Sequence, residues 1–184
     1  MHTFSLRSLL VALAIALPMA ASVPAFAASK SELESSSKKA LDKLVAQVPG
    51  ASALNAKAVA VLVFPTITKA GFMVGGQFGE GVLWRKGKPV GYYNTAGASY
   101  GLQAGAQQYG YAMFFMNQKA LDSLNSTQGF EVGVGPSVVV VDSGMGKSVT
   151  SGTLTEDIYA FIFSQKGLMA GIGIQGNKIT RIQK

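Results

Sequence analysis

Cysteine is absent from all 184 residues, and histidine occurs once, as His2. Without Cys there is no disulfide framework, no thiolate nucleophile and no Cys-based zinc site. With the lone His at the extreme start, the rest of the chain has no Ser–His or Cys–His pair. Arginine is scarce. After Arg7 only Arg85 and Arg181 occur, so no Arg stripe suggests a nucleic-acid partner. Acidic residues are few and scattered. Glu156 and Asp157 are adjacent ahead of a strand pattern and so point to opposite faces, while Glu80, Glu131 and Asp142 are isolated. A general acid–base pair is therefore hard to nominate, no cofactor motif stands up, and an enzyme is not expected; a Ser–Lys or carboxylate mechanism is the one enzymatic route left open. No uninterrupted apolar run approaches the roughly 20 residues of a helical membrane span.

The apolar run that does occur comes first. Leu9 to Leu17 reads LLVALAIAL, preceded by Arg7, broken by Pro18 and followed by Ala25-Phe26-Ala27. A weakly basic start, a short apolar core and a small-x-small site describe a secretory signal cleaved near Ala27. The expectation is an exported protein, periplasmic or secreted, with a mature chain from about Ala28. Removing 27 of 184 residues leaves 157, the size of one domain, residues 28–184. Removing Arg7 from the 16 basic residues leaves 15 against 9 acidic, a net charge of +6. That excess favours anionic partners such as phosphate headgroups.

Organisation changes once along the mature chain. Ser29 to Gln47 carries a helical pattern, with Leu33, Ala40, Leu41, Leu44 and Val48 on one arc, Ser29 or Ser31 as cap and Pro49-Gly50 as the stop. A short helical turn over Ser52 to Lys57 is expected next. From Ala58 on, the chain holds all but one of its 22 glycines, set among β-branched and aromatic residues. AVAVLVF, closed by Pro65, reads as a buried strand, and VLW-RKGK-PVGYY as a hairpin with Arg85 to Lys88 as its turn. Alternation from Ser99 to Gln107 and the aromatic run Tyr109 to Met116 give two more strands. Asn117 caps a short helix. SVVVVD, DIYAFIF, GLMAGIGI and NKITRI complete the strands, with SGMGKS and SQKG as turns. Glycine inside strands marks bulges, bends and close backbone approach. The fold class expected is α+β: a strongly curved or barrel-like, mainly antiparallel sheet with an N-terminal amphipathic helix and one or two short helices packed on it.

Three glycine motifs are set aside. Gly144-Met-Gly146-Lys147-Ser148 ends like a P-loop, but Val141 occupies the position of the required first Gly. Gly171-Ile-Gly173-Ile-Gln-Gly176 matches G-x-G-x-x-G with only eight residues after it, too few for the helix that would receive a pyrophosphate. Gly97, Gly101 and Gly105 share a helix-dimer spacing, yet Gln103, Gln107 and Gln108 would then face lipid.

AVAVLVFPTITKAGFMVGGQFGEGVL resembles the opening of the SYLF domain, a lipid-binding family of bacteria, yeast and animals. The likeness resumes at ASYGLQAGAQ, AMFFMNQKALDSL, EVGVGPSVVV and DIYAFIFSQKGLMAGIGIQGNKI. The resemblance implies a membrane-associating, non-enzymatic role. Eukaryotic members bind phosphoinositides partly through a basic amphipathic N-terminal helix, and some bind actin. On that pattern Lys38, Lys39 and Lys43 become headgroup contacts, and Lys69 and Phe72 fall in the most specific stretch. Trp84, Met73 and Phe72 offer apolar area near the basic hairpin of Arg85, Lys86 and Lys88. Two departures matter: the helix follows a secretory signal, where actin is not expected, and Glu32, Glu34 and Asp42 dilute its charge. The default for such a stripe is to pack on the sheet and leave its lysines wet. Competing readings are a small outer-membrane β-barrel, whose alternation AVAVLVF and SVVVV lack, and an envelope protein-interaction module with Tyr92, Tyr93 and Tyr100 as exposed anchors.

Overall fold

The computed structural model describes residues 28–126, 129–141, 155–167 and 176–184. The signal-like segment, the SGMGKS turn, Asp142, nearly all of GLMAGIGI and the G-x-G-x-x-G glycines before Gly176 lie outside the described residues. So do the side chains of Phe72, Met73 and Tyr100.

The first helix, α1 (Lys30–Gln47), starts on a reciprocal cap: Ser29 Oγ accepts from the Glu32 N–H at 3.3 Å, and Glu32 Oε2 accepts from the Ser29 N–H at 3.0 Å. Its buried stripe is Leu33, Ser37, Leu41 and Leu44. Ala40 and Val48 sit only at the margin, and the polar Ser37 takes a central place the apolar pattern assigns to nobody. The helix ends at Gln47, ahead of Pro49 as expected, and Pro49 itself opens the next helix. It occupies the first turn of α2 (Pro49–Lys57), where a missing N–H costs nothing, and the chain bends at the extended Val48.

Two long strands follow, β1 (Ala60–Arg85) and β2 (Lys88–Phe115), paired antiparallel from end to end. Lys86 and Gly87 form the turn between them, with φ of 50° and 74°. Both positive values match the two-residue turn whose twist suits a hairpin. The apolar run does not end at Pro65. A register shift between Phe64 and Ile67 carries the strand past the missing donor. Likewise Tyr109 to Phe115 continues β2 instead of forming a separate strand.

Asn117 caps α3 (Gln118–Ser123), accepting from the Ala120 N–H at 2.8 Å. Four short strands complete the sheet: β3 (Phe130–Glu131), β4 (Val138–Val141), β5 (Ile158–Gly167) and β6 (Lys178–Ile182). The expected turn at Ser164-Gln165-Lys166-Gly167 is instead strand. Ser164, at φ 52°, lies in a register shift opposite Tyr109, and β5 runs on to Gly167. The order is β3-β6-β2-β5-β4 with β1 on β2, all antiparallel except the β4–β5 pair.

Because β2 pairs β6 through its first half and β5 through its second, the hairpin belongs to two sheet regions at once. It curls so that they face each other, a half-barrel. A Cβ on Gly81 would lie 2.7 Å from the Val63 carbonyl oxygen and 2.6 Å from the Phe64 ring; one on Gly79 would lie 2.8 Å from the Thr66 oxygen. Only glycine permits that approach. Leu62, Phe64, Ile67, Leu83, Tyr93, Tyr111 and Met113 fill the inside of the curl. Alternate residues Val61, Val63, Val82, Trp84 and Phe114 face outward and pack under Leu33, Leu41, Leu44 and Leu54 of the helices. No helix among the described residues is long and apolar enough to cross a membrane.

Candidate functional site: a basic hairpin tip and the cleft beside it

The turn of the β1–β2 hairpin closes at the Arg85–Lys88 pair, past the point where β6 pairing begins at Tyr92. Arg85, Lys86 and Lys88 sit on that turn, and all three are exposed. Two strands and a two-residue turn hold them in a narrow span, so they act as one cationic point. Arg85 Nη2 donates to Gln118 Oε1 at 3.2 Å, which ties the tip to α3. Val90, two residues past Lys88, is 47% exposed.

α1 brings a second group of cations. Lys38, Lys39 and Lys43 are all exposed on it. Lys38 pairs with Asp42 one turn on, in a solvent-open geometry that contributes little to stability. The stripe beneath is docked on the sheet as the default expectation had it. Its polar member explains how: Trp84 Nε1 donates to Ser37 Oγ at 2.8 Å, and Ser37 Oγ donates to the Val63 carbonyl at 3.3 Å. Trp84 is consequently only 8% exposed. That corrects its assignment as an apolar surface contact. An indole N–H seeks a partner when buried, and Ser37 supplies one from the helix. The exposed apolar residue beside the cations is Val90, which the sequence reading overlooked because burial, not hydrophobicity, separates the two.

Lys38 and Lys86 meet across a cleft of about 450 Å³ between α1, the α2–β1 link and the hairpin turn. Leu41, Val45, Ala58, Val59 and Trp84 line its apolar part, and Asp42 is its one acidic residue. Lys69 is not part of this arrangement. It lies far down β1, half-buried opposite Gln107.

The N-terminal end of α1 is pinned as well. Lys184 Nζ reaches Glu80 Oε2 at 2.9 Å and the Ala28 carbonyl at 2.7 Å. Tyr92 donates to Glu34, and Lys30 stands 5.5 Å from the Tyr92 ring centre. Burial and the Glu34 carboxylate push the Tyr92 phenol up to about 12. Tyr92 is thus half-covered, and Tyr93 is 1% exposed inside the curl with its hydroxyl on Asn125. Neither is the exposed anchor that a protein-interaction reading asked for. Among the described residues no three His, Cys, Asp or Glu side chains gather as metal ligands.

A family model described as Ysc84, Las17-binding protein actin regulator, matches residues 96–184. That span takes in most of β2 and everything after it, whereas the basic tip, α1 and the cleft all precede it. No curated protein matches the chain.

Proposed function

Because the chain belongs to the Ysc84 or SYLF family, we propose that it is a non-enzymatic lipid-binding protein that associates reversibly with anionic membrane surfaces. The observation that carries this reading is the exposed cluster of Arg85, Lys86 and Lys88 beside the exposed Val90, with Lys38, Lys39 and Lys43 on the neighbouring helix. Cations near an anionic surface attract at about 1 kcal/mol each. A bare electrostatic contact of that kind is weak and salt-sensitive.

The signal-like pattern of residues 1–27 supports the further reading that this contact is made on the non-cytoplasmic side, by a mature protein that is periplasmic or secreted and peripheral to the bilayer. Actin regulation, which the family description names, is not part of this proposal, because the export reading separates the chain from actin. Co-sedimentation tests the reading: the mature protein is expected to pellet with phosphatidylglycerol vesicles at low salt, and not with pure phosphatidylcholine vesicles. Equal recovery in both pellets, or none in either, refutes it. Release of a chain beginning near Ala28 by osmotic shock, without detergent, checks the location.

A further inference from the structure

A flat bilayer explains the exposed cations but not the recess behind them. The cleft beside the tip runs inward to Leu41 and Trp84, which are 7% and 8% exposed, and Val45 and Val59 form its walls. Its volume, about 450 Å³, lies in the range of small-molecule sites, roughly 300–1,000 Å³. Its polar and charged lining residues, Lys38, Asp42, Asn55 and Lys86, are all exposed, so they belong to its solvent side. Lys38 is neutralised by Asp42. Lys86 makes no ion pair among the described residues, which leaves one uncompensated cation at the mouth of an apolar recess. One charge at the entrance and apolar walls behind it are complementary to an amphiphile with an anionic head and an alkyl tail.

Resting on the lipid chemistry proposed above, we infer that this cleft takes the alkyl chain of a single anionic amphiphile, with its headgroup on Lys86. The protein then holds one lipid-like molecule at one site, besides any contact between its cationic surface and a membrane. Two consequences separate this from surface attraction. Binding is stoichiometric, and it depends on chain length. Each methylene that leaves water contributes about 0.8 kcal/mol, a factor of about four, until the recess is full. A surface contact through headgroups alone has no such dependence.

Trp84 is the only tryptophan and lies in the cleft lining, so its emission reports occupancy directly. The experiment titrates the mature protein with monomeric octyl phosphate, hexyl phosphate and inorganic phosphate. The expected result is a saturable, one-to-one change in Trp84 emission with octyl phosphate, about fifteenfold weaker binding of hexyl phosphate, and no change with inorganic phosphate. Val45→Asn is expected to weaken octyl phosphate at least tenfold while leaving vesicle sedimentation intact. Lys86→Asn weakens both. No response to octyl phosphate, or equal affinity for octyl, hexyl and inorganic phosphate, overturns the inference. Because the chain-length series uses the unmodified protein, it decides even if Val45→Asn fails to fold. Vesicle sedimentation without an alkyl phosphate response defeats the cleft alone; an alkyl phosphate response without sedimentation defeats the membrane-surface reading alone.

Discussion

Replacing Arg85, Lys86 and Lys88 together by Gln, Asn and Gln removes three charges from the hairpin tip while preserving its backbone. Lys86 sits at φ 50° and Gly87 at φ 74°. Asn-Gly is the pair that adopts such a turn most readily, so the variant keeps or improves the local fold. The three side chains are exposed, and among the described residues the one tie that changes is the Arg85–Gln118 hydrogen bond at 3.2 Å. Thermal unfolding should therefore stay within about 2–4 °C, the effect of under 1 kcal/mol in a domain of this size. Membrane affinity should not. At about 1 kcal/mol per cation near an anionic surface, the loss is about 3 kcal/mol, or roughly a hundredfold in partition coefficient. The assay is sedimentation with phosphatidylglycerol vesicles over a lipid series in low salt. The same difference should shrink at physiological ionic strength, where the screening length falls to about 8 Å. If the triple variant partitions within threefold of the unmodified protein at low salt, the tip is not the contact and the electrostatic reasoning is wrong.

Three further outcomes test the scaffold. Gly81→Ala places a methyl group against the Phe64 ring and the Val63 carbonyl and should cost about 1–3 kcal/mol or more in urea unfolding; Gly76→Ala, whose nearest atom is 3.9 Å away, should change almost nothing. Burial inside the curl pushes the Tyr109 phenol up to about 12, and its hydroxyl donates to Gln77 at 2.6 Å. The folded chain thus keeps a proton that the unfolded chain releases near 10. That contribution is complete below about pH 10 and is lost as pH rises to about 12, a decline of about 2–3 kcal/mol that urea titrations at stepped pH would show. Lys184→Met leaves the Glu80 carboxylate, only 13% exposed, without its cation, and should cost about 3 kcal/mol; loss of amide protection at Leu33 before the rest of α1 would locate the effect.

Much of this architecture is legible in the residues because its signals are local. Ser29 or Ser31 ahead of an apolar stripe marks a helix start, Asn117 marks another, and Arg85 to Lys88 between strand patterns marks a hairpin turn; the structure starts the helix on Ser29 and closes the turn on Lys86-Gly87. What the sequence hides is long-range. Pro65 looks like a strand end until a bulge carries the ladder past it, and Ser164-Gln165-Lys166-Gly167 looks like a turn until Tyr109 is found opposite a bulge. β4 lies parallel to β5, a pairing no local pattern announces. At the site, the cations of the hairpin and of α1 are readable as a charge excess. Their convergence on one cleft is not, because Lys38 and Lys86 are 48 positions apart and meet only when α1 docks. Trp84 illustrates the same limit: nothing adjacent in sequence reveals that Ser37 receives its N–H.

How α1 meets a membrane follows from what it already buries. Leu33, Leu41 and Leu44 are each under 8% exposed, and full burial of such a side chain is worth about 1.5–3 kcal/mol. If α1 left the sheet to lie in lipid, the bilayer would return that transfer energy. It would not cover Val61, Val63, Val82 and Trp84, which the departing helix exposes, nor restore the bonds from Trp84 to Ser37 and from Ser37 to Val63. Undocking is therefore a net loss of several kcal/mol, more than the attraction of Lys38, Lys39 and Lys43 at about 1 kcal/mol each can offset once Asp42, Glu32 and Glu34 are subtracted. The helix should stay docked on the membrane, presenting its lysines and keeping its leucines. Hydrogen exchange decides the point: the amides of Leu41 and Leu44 are expected to exchange equally slowly with and without phosphatidylglycerol vesicles. Faster exchange across Val61 to Val63 and Val82 to Trp84 on vesicle binding, together with a change in α1, would show that the helix does swing into the bilayer and that its apolar stripe, not the hairpin, sets the affinity.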